Sequence, residues 1–313
     1  MLNNNQYVAV HVSKAALDIA MPGANRVWRS ANTASGIALF RKRLGALERP
    51  HVVCEATGCY GRLLARQMGQ ADIPLSIVNP RQVRDFARAT GQLAKTDALD
   101  AGIILRFADA MQPVPTPPTP ENQARLAEHV RRRRQLVDML ATEKQRLSGL
   151  DDADTLASIR EHIAFLQGQI HQCDTRIKPE ISADDTLTRK AVLLESIPGI
   201  GTTTAAVLIA ELPELGIADK KQIAALAGGA PMNRDSEQWR GQAHITGGRL
   251  SVRCALYMVT LPAIRFNPTI RAFYQHLRAE GKAPKVAITA AMRKLLIIAN
   301  AIVQQDKPWT NLP

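Results

Sequence analysis

Apolar positions follow two rhythms along this chain, and the change between them divides it. Over the first hundred residues they alternate or come in short blocks. Residues 7–12 (Tyr7-Val8-Ala9-Val10-His11-Val12) and 17–21 read as a hairpin. Residues 51–55 read as a strand ending in Glu55, and 75–78 as a strand stopped by Asn79-Pro80. Steps of three and four predict helices over 36–47, 61–68, 81–88 and 97–110. This is α/β order, with an antiparallel start and later crossovers.

The run Pro113-Val114-Pro115-Thr116-Pro117-Pro118-Thr119-Pro120 cannot be helical and reads as a stiff linker. Beyond it the helical period takes over. Leu156, Ile159, Ile163, Leu166, Ile170, Cys173 and Ile177 form an a/d seam. Leu126, Val130, Val137, Leu140 and Leu147 continue it, with Arg133 and Lys144 at seam positions. A long antiparallel helix pair, broken near 149–154, is expected. After about residue 185 comes a mostly helical unit. Ser196-Ile197-Pro198-Gly199-Ile200-Gly201 enters an apolar helix over 202–212. The loop Ala227-Gly228-Gly229-Ala230-Pro231 follows, then helices over 251–265, 270–280 and 284–304. The expected organisation is a first domain over 1–112, a linker over 113–120, a coiled-coil segment over 121–184 and a last domain over 185–313.

Composition narrows the function. Lys plus Arg number 40 against 28 Asp plus Glu, a net charge of +12 that points to a polyanionic partner. The plain alternative is a basic protein with no such partner. No apolar run approaches the roughly 20 residues that span a bilayer, and the first residues lack a signal-peptide core. Cys54, Cys59, Cys173 and Cys254 lack Cys-x-x-Cys spacing. That argues against a zinc site or a disulfide framework and fits a reducing cytoplasm.

Three places carry candidate chemistry. Asp97 and Asp100 share a helical face, and Glu55 ends a strand that could point at it. Carboxylate clusters hold Mg²⁺ through hard oxygens, and paired ions stabilise the attacking and leaving oxygens of phosphodiester transfer. Alternatively, Asp97 is a favourable first-turn acid and Asp100 a surface residue. The 196–201 turn could offer helix N–H groups to a phosphate, or simply join two packed helices. In Asn233-Arg234-Asp235-Ser236-Glu237-Gln238-Trp239-Arg240 a serine lies between arginines, where an activated hydroxyl could attack a phosphate. A lone loop serine is more often unreactive. Arg234, Arg240, Arg249, Arg253, Lys285 and Arg293, with further basic residues and interleaved aromatics, suit a surface that tracks a nucleic-acid backbone. Arg131-Arg132-Arg133-Arg134 is a phosphate candidate or a solvated run.

Together these residues resemble the DEDD transposases of the insertion sequence 110 family, relatives of the Piv DNA invertase. The resemblance covers nearly the whole chain. Val10-His11-Val12-Ser13-Lys14-Ala15-Ala16-Leu17-Asp18 is similar to the opening strand motif. Glu55-Ala56-Thr57-Gly58 and Lys95-Thr96-Asp97-Ala98-Leu99-Asp100-Ala101 are similar to the next two. Ile197-Pro198-Gly199-Ile200-Gly201, Ala227-Gly228-Gly229-Ala230-Pro231, and Asn267-Pro268 through Lys285-Val286-Ala287 are similar to the C-terminal transposase domain.

The resemblance implies an RNase H-like, RuvC-like first domain and a helical transposase domain last. It implies Mg²⁺ bound by Glu55, Asp97 and Asp100, and a serine nucleophile, here Ser236, that links covalently to DNA. It also implies a structured noncoding bridge RNA that pairs with target and donor DNA. Assembly as a dimer or tetramer through the long helices, with an active site shared between protomers, is expected. The chain departs from the family at two points. Glu237 follows Ser236 where the family usually has glycine, and His11 stands where it has aspartate. Imidazole is a poor Mg²⁺ ligand but an acceptable Mn²⁺ ligand, and the change removes a negative charge. The expectation is a cytoplasmic, bacterial, RNA-guided DNA transposase. The alternatives are a degenerate copy that binds RNA and DNA without strand exchange, and a metal-dependent junction-resolving nuclease.

Overall fold

The computed structural model describes residues 5–24, 26–92, 97–232, 235–236, 239–240, 244–245 and 247–310. For 97–99, 232, 235–236, 239–240 and 244 it describes the backbone alone. The chain divides into two units, Met1–Thr119 and Pro120–Pro313.

The first unit is built on strands β1 (Gln6–Val12), β2 (Ala16–Ala20), β3 (Trp28–Ala31), β4 (Pro50–Glu55) and β5 (Leu75–Val78). They form one sheet in the order β3-β2-β1-β4-β5. The first three make an antiparallel meander, while β4 lies parallel to β1 and β5 parallel to β4. Helices α1 (Ala34–Leu44) and α2 (Arg62–Gly69) cover the face carrying Val8, Val10, Leu17, Ile19, Val52 and Cys54. Helices α3 (Pro80–Ala89) and α4 (Asp97–Met111) cover the face carrying Tyr7, Ala9, Ala20, Val53 and Val78. Alternate residues of β1 thus feed two cores, which is why its apolar run is nearly continuous. The α/β order expected from the sequence is the order observed. Strand β3 was not expected: of its four residues only Ser30 is buried, so it carries little apolar alternation.

The proline-rich run begins against the sheet. Thr116 N–H donates to Leu75 O at 2.8 Å, and Thr116 Oγ1 accepts from Ile77 N–H at 3.0 Å. Ser76 Oγ lies 3.1 Å from Pro113 O and 2.8 Å from Val114 O. An extended segment without helix potential thereby occupies the free edge of β5, which would otherwise present unpaired backbone groups.

In the second unit, α5 (Glu121–Arg146) and α6 (Ala153–Ser182) run antiparallel. The ion pairs Arg125–Glu180 and Arg133–Asp174, with His162 Nδ1 3.3 Å from Glu143 Oε1, set the direction. On α5 the buried stripe slips by one position from the expected seam. Leu136 is 1% exposed and Val137 38%, and Glu143 rather than Lys144 turns inward. A straight α-helix drifts against a strict seven-residue repeat, and the stripe follows the helix. In the arginine run Arg132 is exposed, while the other three are ion-paired. Arg131 pairs with Glu211 at 3.2 Å, Arg133 with Asp174 at 2.6 Å and Arg134 with Asp138 at 3.6 Å.

One core joins Leu126, Val130, Ile177 and Ile181 to α7 (Asp185–Glu195), α8 (Thr202–Glu211), α9 (Lys220–Leu226), α10 (Leu250–Phe266), α11 (Pro268–Ala279) and α12 (Pro284–Gln305). By length and composition alone α12 is long and apolar enough to cross a membrane. Lys285, Arg293 and Lys294 break its apolar run, so no unbroken apolar stretch in it approaches roughly 20 residues. Its Ala287, Ala291, Leu295, Leu296 and Ala299 are buried in this core.

Candidate functional site

Three candidate donors of the first unit, His11, Asp18 and Glu55, lie on one face of the sheet. The parallel register ends at Val10–Cys54, so one step further brings His11 level with Glu55 at the C-terminal ends of β1 and β4. In the antiparallel register His11 pairs with Asp18 of β2. By alternation His11 shares the face of Ala9, Asp18 that of Ala20 and Glu55 that of Val53, the face that α4 covers. Asp97 opens α4 and Asp100 lies in its first turn, immediately before buried Ala101. Crevices at the carboxyl ends of parallel strands are where open sheets bind ligands. The side chain of Asp97 lies outside the described residues. Among those described, no three His, Cys, Asp or Glu side chains gather into one metal-binding group.

Asp18, the last residue of the opening strand motif, stands out on this face. It is 5% exposed, and its Oδ2 has no hydrogen-bond partner among the described residues. Its Oδ1 lies 3.7 Å from Nε of Arg29, its partner on β3. A buried carboxylate oxygen left bare this way calls for positive charge. The bare oxygen of Asp18, beside the imidazole of His11 on the paired strand, is of a chemistry suited to a divalent cation. Neighbouring Cys54 is not a competing donor. Burial, with the charge of Glu55 adding to it, pushes its thiol up to about 12.

The second candidate lies on a ribbon between α9 and α10. Pro231–Met232 (β6) pairs with His244–Ile245 (β9), and inside that pair Asp235–Ser236 (β7) pairs with Trp239–Arg240 (β8). Ser236 thus has its backbone in the inner, distal pair of a nested hairpin. The side chains of Ser236 and Arg240 and the whole of Arg234 lie outside the described residues. The base of the ribbon is close-packed. Gly228 and Gly248 both hold positive φ, at +70° and +73°, and a Cβ on Gly248 would fall 2.3 Å from Gly228 Cα. Only glycine allows both the conformation and the approach.

Arginines ring this base. Arg249, just ahead of α10, donates to both oxygens of Glu214 at 2.5 and 2.7 Å, and its N–H donates to Leu226 O at 2.8 Å. Burial alone would raise the Glu214 carboxyl, but the Arg249 hydrogen bonds and charge outweigh it and hold it below its ordinary value. Arg253 donates to Gly247 O at 2.7 Å. The Cβ of Arg293, on α12, lies 3.9 Å from where a Gly229 Cβ would sit. Arg293 Nε is buried with no hydrogen-bond partner among the described residues. Lys285 is exposed in the first turn of α12. Of the aromatics, Phe273 packs on the core under Lys294 Nζ, 4.4 Å from its ring centre. Glu214, 35 residues from Arg249, carries no local sequence signal for this pairing.

The 196–201 turn joins α7 to α8. Ile197 and Ile200 are buried, and a Cβ on Gly199, at φ +106°, would meet Ala263 Cβ of α10 at 2.8 Å. Asn267 Nδ2 reaches Pro198 O at 3.4 Å. Packing therefore accounts for the glycine in this turn.

Two family models match the chain. One, described as a transposase model of the DEDD type, matches residues 18–152. The other, described as "Transposase IS116/IS110/IS902 family", matches residues 191–275. The Pilin gene-inverting proteins of Moraxella bovis and Moraxella lacunata are each 29% identical over 266 residues, covering 83% of this chain and 81% of theirs. The Insertion element IS900 uncharacterized 42 kDa protein of Mycobacterium paratuberculosis is 28% identical over 159 residues, covering 49% of this chain and 38% of its own. With transposase models matching both stretches, the chain belongs to the IS110 family of insertion-sequence transposases.

Proposed function

We propose that this transposase cuts and rejoins DNA by serine attack at Ser236, assisted by a divalent cation on the acidic face of its sheet. One observation carries the reading: the two matched stretches divide the chemistry between them. Residues 18–152 contain Glu55, Asp97 and Asp100, and residues 191–275 contain Ser236. The ring of arginines at the ribbon base supports a phosphate-facing role for the ribbon.

In this reading Glu55, Asp97 and Asp100 hold the cation. When bound, it supplies Lewis-acid stabilisation to charge developing on the scissile phosphate. Ser236 Oγ forms a bond to phosphorus as a backbone P–O bond breaks, leaving a serine–phosphate ester and a free DNA hydroxyl. Attack of a hydroxyl from the recombining strand reverses the step, restores the phosphodiester and returns the serine. Arg253 and Arg293 offset phosphate charge beside the ribbon, while Arg249 fixes its base through Glu214. A structured noncoding bridge RNA selects target and donor by base pairing, so the protein needs to contact backbones and shape rather than sequence. The assembly is a homo-oligomer. The net charge of +12 suits both nucleic acids.

The test is recombination of a supercoiled plasmid carrying donor and target sites, with the RNA that copurifies with the protein. Wild type should recombine and yield a protein–DNA adduct on a denaturing gel. Ser236→Ala recombining like wild type would show the nucleophile to be another group. His11 favours one second reading, a binding-competent copy with weak strand exchange. It predicts tight RNA binding and a rise in recombination for His11→Asp.

A further inference from the structure

We infer that Asp18 is a ligand carboxylate, forming with His11 a cation site of Mn²⁺ class beside Glu55. This rests on the metal-binding reading above and adds to it a residue and a metal preference.

Asp18, His11 and Glu55 stand in a row across β2, β1 and β4, on one face and level with one another. Adjacent strands are about 4.8 Å apart, so neighbouring side chains in the row can meet at one ion while the outer two stand roughly twice as far apart. That spacing agrees with the finding that no three donors gather among the described residues. A two-donor site between His11 and Asp18 fits it, with water or phosphate oxygens filling the remaining positions.

The burial of Asp18 argues for a cation. It is 5% exposed, and Oδ2 has no hydrogen-bond partner among the described residues. The competing account is that Arg29 is its partner and the pair anchors β3. Yet Arg29 Nε stands 3.7 Å from Oδ1, beyond hydrogen-bond length, and the Arg29 side chain is 65% exposed. An exposed arginine at that distance does little for a buried carboxylate, and nothing for its other oxygen. The pairing of an imidazole nitrogen with a carboxylate oxygen then sets the metal class. It suits Mn²⁺ and later transition metals, whereas Mg²⁺ favours an all-oxygen shell.

The test titrates the full-length protein with Mn²⁺, following the free ion by electron paramagnetic resonance. Echo-envelope modulation reports nitrogen coupling to the bound ion. Wild type should bind Mn²⁺ with nitrogen coupling that His11→Gln removes. Asp18→Asn should weaken Mn²⁺ binding roughly 10–100-fold, while Arg29→Gln should not weaken it. Metal-free thermal unfolding guards against loss of fold, and the wild-type nitrogen coupling needs no variant at all. If D18N and R29Q lower the melting temperature alike and both bind Mn²⁺ like wild type, Asp18 is only an anchor and the inference fails. Binding without nitrogen coupling, unchanged by D18N but lost in Glu55→Gln, sinks this inference and leaves the broader metal reading standing. No Mn²⁺ or Mg²⁺ binding by wild type sinks both.

Discussion

The acidic face and the serine ribbon reach their form in opposite ways. His11, Asp18 and Glu55 sit on three hydrogen-bonded strands whose register is fixed by cores on both sides of the sheet. A one-residue slip would move every one of those apolar residues to the wrong core, so the donors are held as firmly as the sheet itself. Ser236 instead sits in a two-residue strand pair of a ribbon whose base is packed at Gly228 and Gly248 and held by Arg253. Its position depends on what clamps the base. On the proposed reading, the sheet holds the donors in fixed positions, while the placement of Ser236 rests on the packing at the base of its ribbon.

The largest effects should separate these two regions in function. Ser236→Ala and Glu55→Gln are each expected to reduce plasmid recombination by roughly 10³-fold or more, and each to abolish the covalent adduct. If the proposed homo-oligomer shares its chemistry between protomers, mixing the two inactive variants should recover measurable recombination. Failure to recover would place both halves of the chemistry in one chain. Next comes the fixed base. Gly199→Ala demands a side chain at φ +106° against Ala263, and should cost about 2–3 kcal/mol, read as a lower urea midpoint. Arg249→Ala strips Glu214 of its partner. Both side chains are about a third exposed, so the loss should be only about 1 kcal/mol. The larger consequence is expected in recombination, which should fall roughly 10-fold as the ribbon base loosens, with Mn²⁺ binding unchanged. Equal losses in both readouts would show that the two regions are not separable.

Much of this was legible in the sequence where local pattern and packing agree. The runs at 7–12, 51–55 and 75–78 became strands because β-rich blocks bounded by turns have one good solution. Asn79-Pro80 became the cap and first residue of α3, its side chain accepting from Arg81 N–H at 2.9 Å. What stayed hidden depended on distant partners. Glu143 reads as a surface acid until His162, on the next helix, is seen 3.3 Å away. The arginine run reads as a solvated patch until Glu211 and Asp174 are placed beside it. The pairing of Asp18 with His11 was implicit in the hairpin. Its weight came only from burial and a bare oxygen, which no residue pattern encodes.

The smallest effect tests how firmly the sheet edge is held. His51 is 1% exposed on β4, with Nε2 2.8 Å from Ser76 Oγ, and Ser76 in turn meets the carbonyls of the proline-rich run. Burial lowers the His51 ring below its ordinary value of 6.5. The fold therefore favours the neutral ring, and below pH 6.5 the unfolded chain binds more protons than the folded one. Stability is fully present above about pH 6.5 and declines as pH falls from there toward the lowered folded value. Amide exchange in β5, corrected for intrinsic rates, should show protection that falls between pH 7 and 5.5 in wild type and stays level in His51→Gln. Protection in the α10 amides should not change with the variant. If β5 protection stayed level in wild type as well, the neutral His51 would not be what holds the edge, and the sheet's firmness would have to come from its two cores alone.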